Sequence, residues 1–218
     1  MELRIKDPGS AITHFIAMVG AIFAAIPLLI RAASSFNPTK TASLGIFMLS
    51  MVLLYGASTV YHTFDRSEKV NRVLKKLDHS MIFILITGTY TPVCLIALKG
   101  PVGYTLLAFV WAVAIIGIVI KLFFVYCPKW VSSVLYIALG WACVFAMAPI
   151  TRALPKAAFG WLLAGGIIYT VGGVIYALKM PLFNSRHKNF GTHEIFHLFC
   201  MGGSFCHFML MYLYLAKM

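Results

Sequence analysis

Two histidines one helical turn apart, His193 and His197, are the residues of this sequence that point most directly to chemistry. Positions i and i+4 of a helix face the same side, so both imidazoles can reach one metal ion. His62, in a different apolar run, is the third candidate ligand. Three histidines with an open fourth position describe a catalytic type of zinc site, in which bound water becomes a nucleophile near neutral pH.

Two further polar residues are candidates for a role in catalysis beside such a site. Asp78 is suited to act as a general base toward the water, or to orient a ligand. Ser58 precedes His62 by four residues and so shares its helix face. Its hydroxyl is suited to donate a hydrogen bond to a substrate carbonyl, or merely to the helix backbone one turn back.

The letters from His193 to His197 formally match the His-Glu-x-x-His pattern of soluble zinc proteases, with Glu194 in the place of the general base. We do not adopt that interpretation. Glu194 opens an apolar, membrane-length segment, and the arrangement of the segments supplies His62 and Asp78 as partners instead.

The elements that must position these residues are membrane-spanning helices. Hydrophobic residues make up 61% of the 218 residues, charged residues only 11%, and the mean hydropathy is +0.90. A soluble domain of this size cannot bury so much apolar surface. Apolar runs of about 20 residues cross a bilayer as helices. Seven such runs are present, at 12–30, 42–63, 78–98, 102–125, 131–151, 158–178 and 192–215.

The fold predicted from this pattern is an all-α integral membrane protein, a single domain forming a seven-transmembrane-helix bundle. We expect the first run to be a retained helix rather than a cleaved signal peptide, because it is long and contains Pro27. The net charge of +12 does not indicate a nucleic-acid-binding protein. The basic residues lie in short gaps between apolar runs, where they anchor loops at anionic lipid headgroups.

The distribution of lysine and arginine predicts the orientation of the bundle. Twelve of the 18 basic side chains fall on the side that includes the N-terminus, which the positive-inside rule places in the cytoplasm, with the C-terminus outside. His62 then lies at the cytoplasmic end of the second helix, Asp78 at the start of the third, and His193 and His197 at the start of the seventh. Three helices thus bring these residues to one depth.

Other interpretations of the polar residues stay open at this point. Histidines near helix ends also occur in the headgroup region without binding a metal, and Asp78 also fits a helix N-terminal cap. We expect His79 to point away from Asp78. His207 lies about 15 Å beyond His197 along the helix, too far to bind the same ion. An interhelical hydrogen bond is the expected role of His207. The five cysteines lack paired spacing and predict reduced thiols.

The polar motifs together resemble a known family. The segments 58–62, 77–80, 88–92 and 193–197, with the opening 7–14, are similar to those of bacterial hemolysin III proteins, which belong with the progestin and adipoQ receptors. The resemblance implies seven transmembrane helices, a cytoplasmic N-terminus and zinc. It also implies a relation to the alkaline ceramidases, a superfamily of proposed metal-dependent membrane hydrolases.

The resemblance assigns roles to five residues of this sequence. It implies that zinc is held by His62, His193 and His197, that Asp78 lies near the metal-bound water, and that Ser58 is the serine of the same motif.

Three functions compete at the level of sequence. The first is a zinc-dependent hydrolase of a membrane lipid amide or ester with a role in lipid homeostasis, resident in the bacterial inner membrane. The second is a non-catalytic signalling or homeostasis protein in which zinc staples the helices. The third is a cytolytic pore. It is the least favoured, because no amphipathic pore-lining helix is evident.

Overall fold

Seven long helices account for nearly all of the chain that the structure describes. The computed structural model describes residues 5–178 and 190–218, and all regular secondary structure within these ranges is helical. Each of the seven helices is long and apolar enough to cross a membrane. They are α1 Pro8–Ala33, α2 Pro38–Thr63, α3 Glu68–Leu98, α4 Gly100–Phe123, α5 Lys129–Ala153, α6 Lys156–Leu178 and α7 Thr192–Lys217. The predicted fold class is therefore confirmed.

The predicted start of the third helix is wrong by ten residues. The charged stretch before Asp78 was expected to be a loop, but α3 begins at Glu68, where the side chain of Ser67 accepts a hydrogen bond from the backbone N–H of Val70. Hydropathy detects only long apolar runs, and six of the first ten residues of α3 are polar or charged. Asp78 is consequently not an N-terminal cap, because it lies about three turns inside the helix.

Three of the membrane-crossing helices contain short segments of other helical types, the shortest of which is the 3-10 turn Leu215–Lys217 at the end of α7. The last six residues of α3, Val93–Leu98, form a π-helix, and residues Trp141–Ala146 of α5 form a 3-10 helix. The Tyr90 hydroxyl accepts from the backbone N–H of Cys143 at 2.8 Å and donates to the carbonyl of Gly140 at 2.7 Å. These bonds satisfy backbone groups at the irregular segment of α5, as a membrane-embedded backbone requires.

A single residue, Lys99, separates α3 from α4 in a tight turn. Lys99 and Gly100 both have positive φ values, 49° and 62°. Glycine adopts this conformation without strain. The reversal places α3 and α4 side by side.

Glycines allow α6 and α7 to approach closely. A Cβ added at Gly165 would collide with His207, and one added at Gly203 would collide with the Tyr169 ring. A Cβ at Gly172 would similarly meet Phe199, whereas one at Gly166 would meet nothing within 4 Å. Gly165, Gly172 and Gly203 therefore serve close helix packing, whereas Gly166 does not.

The segment that leads into α1 is pinned to the end of α2 by the backbone. The N–H of Asp7 donates to the carbonyl of His62 at 2.9 Å, and the N–H of Lys6 donates to the carbonyl of Thr63 at 3.3 Å. These bonds hold the first turn of α1 next to the last turn of α2, where the candidate site begins.

The five cysteines are all free, as predicted. The predicted orientation in the membrane stays a prediction. Four of the basic residues on which it depends, Arg4, Lys179, Arg186 and Lys188, lie outside the described residues.

Candidate metal centre

Three histidines from two helices converge at one end of the bundle. His62 lies in the last turn of α2, and His193 and His197 lie in the first two turns of α7. One ring nitrogen of each lies within 4.8 Å of the other two, and the Nε2 atoms of His62 and His193 are 3.1 Å apart. The structure thus brings together the three residues that the sequence singled out as ligands.

The donor set and its spacing fit a zinc ion. Zinc is held by imidazole nitrogens at about 2.0–2.1 Å in a tetrahedron, which separates two ligand nitrogens by about 3.3 Å. The separation of 3.1 Å between His62 and His193 is close to that value. Three imidazoles leave the fourth tetrahedral position for another ligand.

Hydrogen bonds orient two of the three rings for metal binding. The Nδ1 atom of His62 lies 3.0 Å from a carboxylate oxygen of Asp7. A carboxylate only accepts, so Nδ1 carries the proton and the lone pair of His62 is on Nε2. The Asp7 carboxyl is a negatively charged acceptor, because the hydrogen bond from His62 holds its pKa below the usual value.

A hydrogen bond with Thr13 orients the His197 ring in the same way. Its hydroxyl oxygen is 3.1 Å from Nδ1 of His197 and 3.0 Å from the backbone carbonyls of Gly9 and Ser10. Carbonyls only accept, so the hydroxyl proton points toward them and the oxygen accepts from Nδ1–H. Nε2 of His197 is then left for a metal, an arrangement typical of metal-binding histidines.

Sequence reasoning did not identify Asp7 or Thr13 as part of the site. Both lie in the opening 7–14 that carries part of the family resemblance, but nothing in the sequence assigns either of them a role at the metal. Asp7 lies just before α1 and Thr13 lies within it. No spacing in the sequence shows that the start of α1 lies next to the end of α2 and the start of α7.

Glu194 is used at the helix terminus, in agreement with our rejection of the protease pattern. One carboxylate oxygen accepts from the backbone N–H of Gly191 at 2.7 Å, and the other accepts from the Ser10 hydroxyl. An acidic residue in the first turn is stabilised by the helix dipole. Glu194 therefore joins the starts of α1 and α7.

A cavity of about 180 Å³ leads from the histidines into the bundle. Ser58, Asp78, His193 and His197 all lie on its wall. Asp78 and Ser58 are buried, and the Ser58 hydroxyl lies near the Asp78 carboxyl without forming a hydrogen bond of standard geometry within the described chain. The rest of the wall is predominantly apolar, with contributions from Leu54, Ile82, Leu85, Ile86, Phe159 and Leu163.

His14 is a buried neighbour of the cluster. Its ring stacks on that of His197, with centroids 3.5 Å apart and an interplanar angle of 5°. Its edge meets Tyr55 at 5.0 Å. His14 is on the cavity wall, and within the described residues neither ring nitrogen has a hydrogen-bond partner. The stacking restricts the position of His197.

Two further histidines, His79 and His207, border the cavity. Asp78 and His79 both border the cavity. Neighbouring helical positions can both border a wide space, so the expectation that His79 points away from Asp78 stays a prediction. His207 forms the predicted interhelical hydrogen bond, from Nε2 to the carbonyl of Leu162 in α6 at 3.3 Å.

Comparison with known proteins gives matches along most of the chain. A family model described as "Haemolysin-III related" matches residues 4–208. The chain is 40% identical to "Hemolysin-3" of Bacillus cereus over 199 residues, covering 91% of this chain and 87% of the relative. It is 39% identical to "Hemolysin-3 homolog" of Bacillus subtilis (strain 168), covering 97% and 95%.

A more distant likeness extends to an animal receptor. The chain is 24% identical to "Adiponectin receptor protein" of Drosophila melanogaster, covering 93% of this chain and 49% of that protein. The seven apolar helices and the match along most of the chain agree with each other. The chain is a multi-pass membrane protein that belongs to the haemolysin-III related family.

Proposed function

We propose that this protein is a zinc-dependent hydrolase of a membrane lipid amide or ester, located in the bacterial inner membrane and acting in lipid homeostasis. The observation that carries the proposal is the shared location of the candidate ligands and candidate catalytic groups. His193 and His197, Asp78 and Ser58 border one largely apolar cavity, and His62 completes the cluster within 4.8 Å.

Each candidate residue has a separate role in the proposed hydrolysis. His62, His193 and His197 would hold the ion, which supplies Lewis acidity that makes water nucleophilic near neutral pH. Asp78 takes the proton from the attacking water as general base. Ser58 donates a hydrogen bond to the substrate carbonyl oxygen, where negative charge develops. The apolar wall holds the acyl chain and excludes bulk water.

Metal analysis of the purified full-length chain tests the first half of this proposal. We expect about one zinc per chain in the wild type, since three oriented imidazoles form a strong donor set. His62→Ala and His193→Ala should each lose most of the zinc. His79→Ala removes a histidine from the same cavity but not from the cluster, so it is the matched control and should keep the zinc. A wild type without stoichiometric zinc would contradict the proposal.

Product analysis tests the second half. Purified protein is incubated with lipid amides and lipid esters, and the released fatty acid is measured by mass spectrometry for the wild type, Asp78→Ala and Asp78→Asn. We expect both variants to retain zinc and to lose at least about a hundredfold in rate, the typical size of a general-base contribution. Unchanged product levels in both variants would remove Asp78 from the mechanism.

A structural role for zinc is the second candidate, and a specific observation favours it. Asp7, Ser10 and Thr13 connect the start of α1 to His62, Glu194 and His197. An ion held by α2 and α7 would therefore fasten three helices at one end. If zinc has only this structural role, its removal should greatly lower the thermal stability of the protein. The protein should then release no lipid product from any substrate.

The same preparation tests the cytolytic pore. Ion leakage from liposomes that contain the wild-type protein, without lipid hydrolysis, would favour a pore over both other functions.

A further inference from the structure

Three lysines lie around the candidate metal centre, and each places its ammonium over the ring of a tyrosine. The distances from the ammonium nitrogen to the ring centre are 3.8 Å for Lys6 over Tyr61, 4.4 Å for Lys75 over Tyr126 and 4.4 Å for Lys129 over Tyr176. A cation within about 6 Å of an aromatic ring is attracted to its face. These contacts therefore determine where the three charges lie.

Two of the tyrosines pack against candidate metal ligands. The ring centre of Tyr61 is 4.7 Å from that of His62, and the ring centre of Tyr176 is 5.6 Å from that of His193. The ammonium over each tyrosine is consequently within about 10 Å of the ligand ring, which is about one Debye length at 0.1 M salt. Both positive charges therefore act at the histidine cluster.

Lys75 brings a third positive charge to the same region from α3. It precedes Asp78 by three residues, so the two side chains share one helix face. The charges of Lys6 and Lys75 both act on the Asp78 carboxyl, and they also act on each other. Tyr176, beneath Lys129, borders the same cavity as Asp78. The three ammonium groups thus surround the histidine end of the cavity.

The acidic groups of this region do not neutralise these charges. Asp7 accepts the hydrogen bond of His62, and Asp78 is buried. Within the described residues, neither Lys6 nor Lys75 has a carboxylate oxygen within 4 Å of its ammonium. Clustered charges of one sign create a field that attracts ions of the opposite sign. This end of the cavity is therefore suited to bind an anion.

A phosphate group matches three separate ammonium groups. A phosphate monoester carries three strong acceptor oxygens, and lysine binds phosphate as a point charge. In a lysophosphatidic acid, a three-carbon glycerol joins such a phosphate to an acyl ester. The ester would lie at the histidines, the acyl chain in the apolar cavity, and the phosphate among the lysines.

We propose that Lys6, Lys75 and Lys129 form a subsite for the phosphate of a lipid whose ester or amide lies at the candidate metal centre. The substrate class is then an anionic phospholipid rather than a neutral lipid. The inference rests on the proposed function, because it names the substrate class of the same site. Recognition of the phosphate is measurable as binding, without any turnover.

A ligand series on the wild-type protein tests the choice of headgroup. Displacement of a fluorescent fatty acid from the purified full-length chain in neutral detergent gives the affinities. The ligands share one oleoyl chain and are monooleoylglycerol, oleoyl lysophosphatidic acid and oleoyl lysophosphatidylcholine.

We expect lysophosphatidic acid to bind at least about tenfold more tightly than monooleoylglycerol at low ionic strength, because several charge-assisted hydrogen bonds form. Added salt should reduce this advantage. Lysophosphatidylcholine should bind more weakly than lysophosphatidic acid, since its trimethylammonium group offsets the phosphate charge. Equal affinities for the three lipids would overturn the proposal.

Glutamine variants test whether the named lysines form the subsite. Lys6→Gln, Lys75→Gln and Lys129→Gln should each lower the affinity for lysophosphatidic acid by about two- to fivefold, the effect of one exposed ion pair. The variant that combines all three should bind lysophosphatidic acid no better than monooleoylglycerol. A preference that survives in the combined variant overturns the proposal, and if this variant does not fold, the ligand series on the wild type decides.

Control variants with the same loss of charge exclude a general electrostatic effect. Lys69→Gln changes an exposed lysine in the first turn of α3, and the combined control adds Lys99→Gln and Lys156→Gln, at the other end of the bundle. Both controls should keep the preference for lysophosphatidic acid. Controls that lose as much affinity as the subsite variants would contradict a specific site.

Glycerol 3-phosphate distinguishes a lipid phosphate from a free one. It carries the same phosphate without an acyl chain, so it should bind at least about a hundredfold more weakly than lysophosphatidic acid. If it binds as tightly, the subsite serves a soluble phosphate and the proposal is overturned. If none of the lipids binds, the lipid-hydrolase function fails with this inference. If monooleoylglycerol binds and the phosphate brings no advantage, only this inference fails.

Discussion

Asp7 and His62 are joined twice, once through the side chains and once through the backbone. The Asp7 carboxylate accepts from Nδ1 of His62 at 3.0 Å, and the Asp7 N–H donates to the His62 carbonyl at 2.9 Å. The side-chain bond orients the imidazole, and the backbone bond keeps the carboxylate in place. A residue just before α1 thereby controls a candidate ligand at the end of α2.

Removing the Asp7 carboxylate should weaken zinc binding without abolishing it. We expect Asp7→Asn to lower the zinc affinity by about 10- to 100-fold, the range found when a partner of a metal-binding histidine is lost. Competition with a chelating dye measures the affinity. Asp65→Asn, which neutralises an exposed carboxylate in the loop after α2, is the control and should leave the affinity unchanged. Equal affinities for Asp7→Asn and wild type would show that the contact does not orient His62.

Thr13 should affect zinc binding through its oxygen rather than its bulk. Thr13→Val preserves the shape but removes the acceptor for Nδ1–H of His197, so zinc affinity should fall by about tenfold. Thr13→Ser retains the hydroxyl and should stay within about twofold of the wild type. Both are measured by the same dye competition. A serine variant as weak as the valine variant would attribute the effect to packing instead.

A matched pair of glycines tests the packing of α6 on α7. Gly165→Ala forces a methyl group into the His207 ring and should destabilise the protein by about 1–3 kcal/mol, as overpacking does. Gly166→Ala meets no atom within 4 Å and should be neutral or slightly stabilising, because alanine favours helix. Thermal unfolding in detergent compares the two. Similar melting temperatures for both variants would contradict the close approach at Gly165.

Cys127, in the loop between α4 and α5, should be the thiol most reactive toward iodoacetamide. Burial alone would raise its pKa, but the hydrogen bond with Ser132 and the buried ammonium of Lys121, 3.0 Å from the sulfur, outweigh burial and hold the pKa below the usual value. Because the thiolate is the nucleophile, its reaction rate should persist to lower pH than that of an ordinary thiol and be lost as pH falls through the lowered pKa.

Peptide mass spectrometry over a pH series measures the labelling of Cys127. Lys121→Met removes the ammonium but keeps an unbranched apolar chain, so the midpoint of the rate profile should move to higher pH. A profile that Lys121→Met leaves unchanged would mean that the ammonium does not stabilise the thiolate.

The sequence by itself determined the number and type of the helices. Seven apolar runs of membrane length predict seven helices because a membrane-embedded backbone must satisfy its own hydrogen bonds. Hydropathy could not show that α3 begins at Glu68, since its first turns are interrupted by charged side chains and lie outside the apolar run. For the same reason the sequence left open the interpretation of Asp78 as a helix cap.

Residue type and spacing also sufficed to select His62, His193 and His197, which the structure brings within 4.8 Å of one another. The i, i+4 relationship is local, and the alternation of helix directions brings the end of α2 near the start of α7. Only the tertiary structure decided that Asp7 and Thr13 orient two of these rings, and that His207 reaches the Leu162 carbonyl of α6. Such contacts depend on how α1, α6 and α7 are rotated about their axes and how closely they pack. Those quantities are set by side-chain packing between helices, which no periodicity within a single segment records.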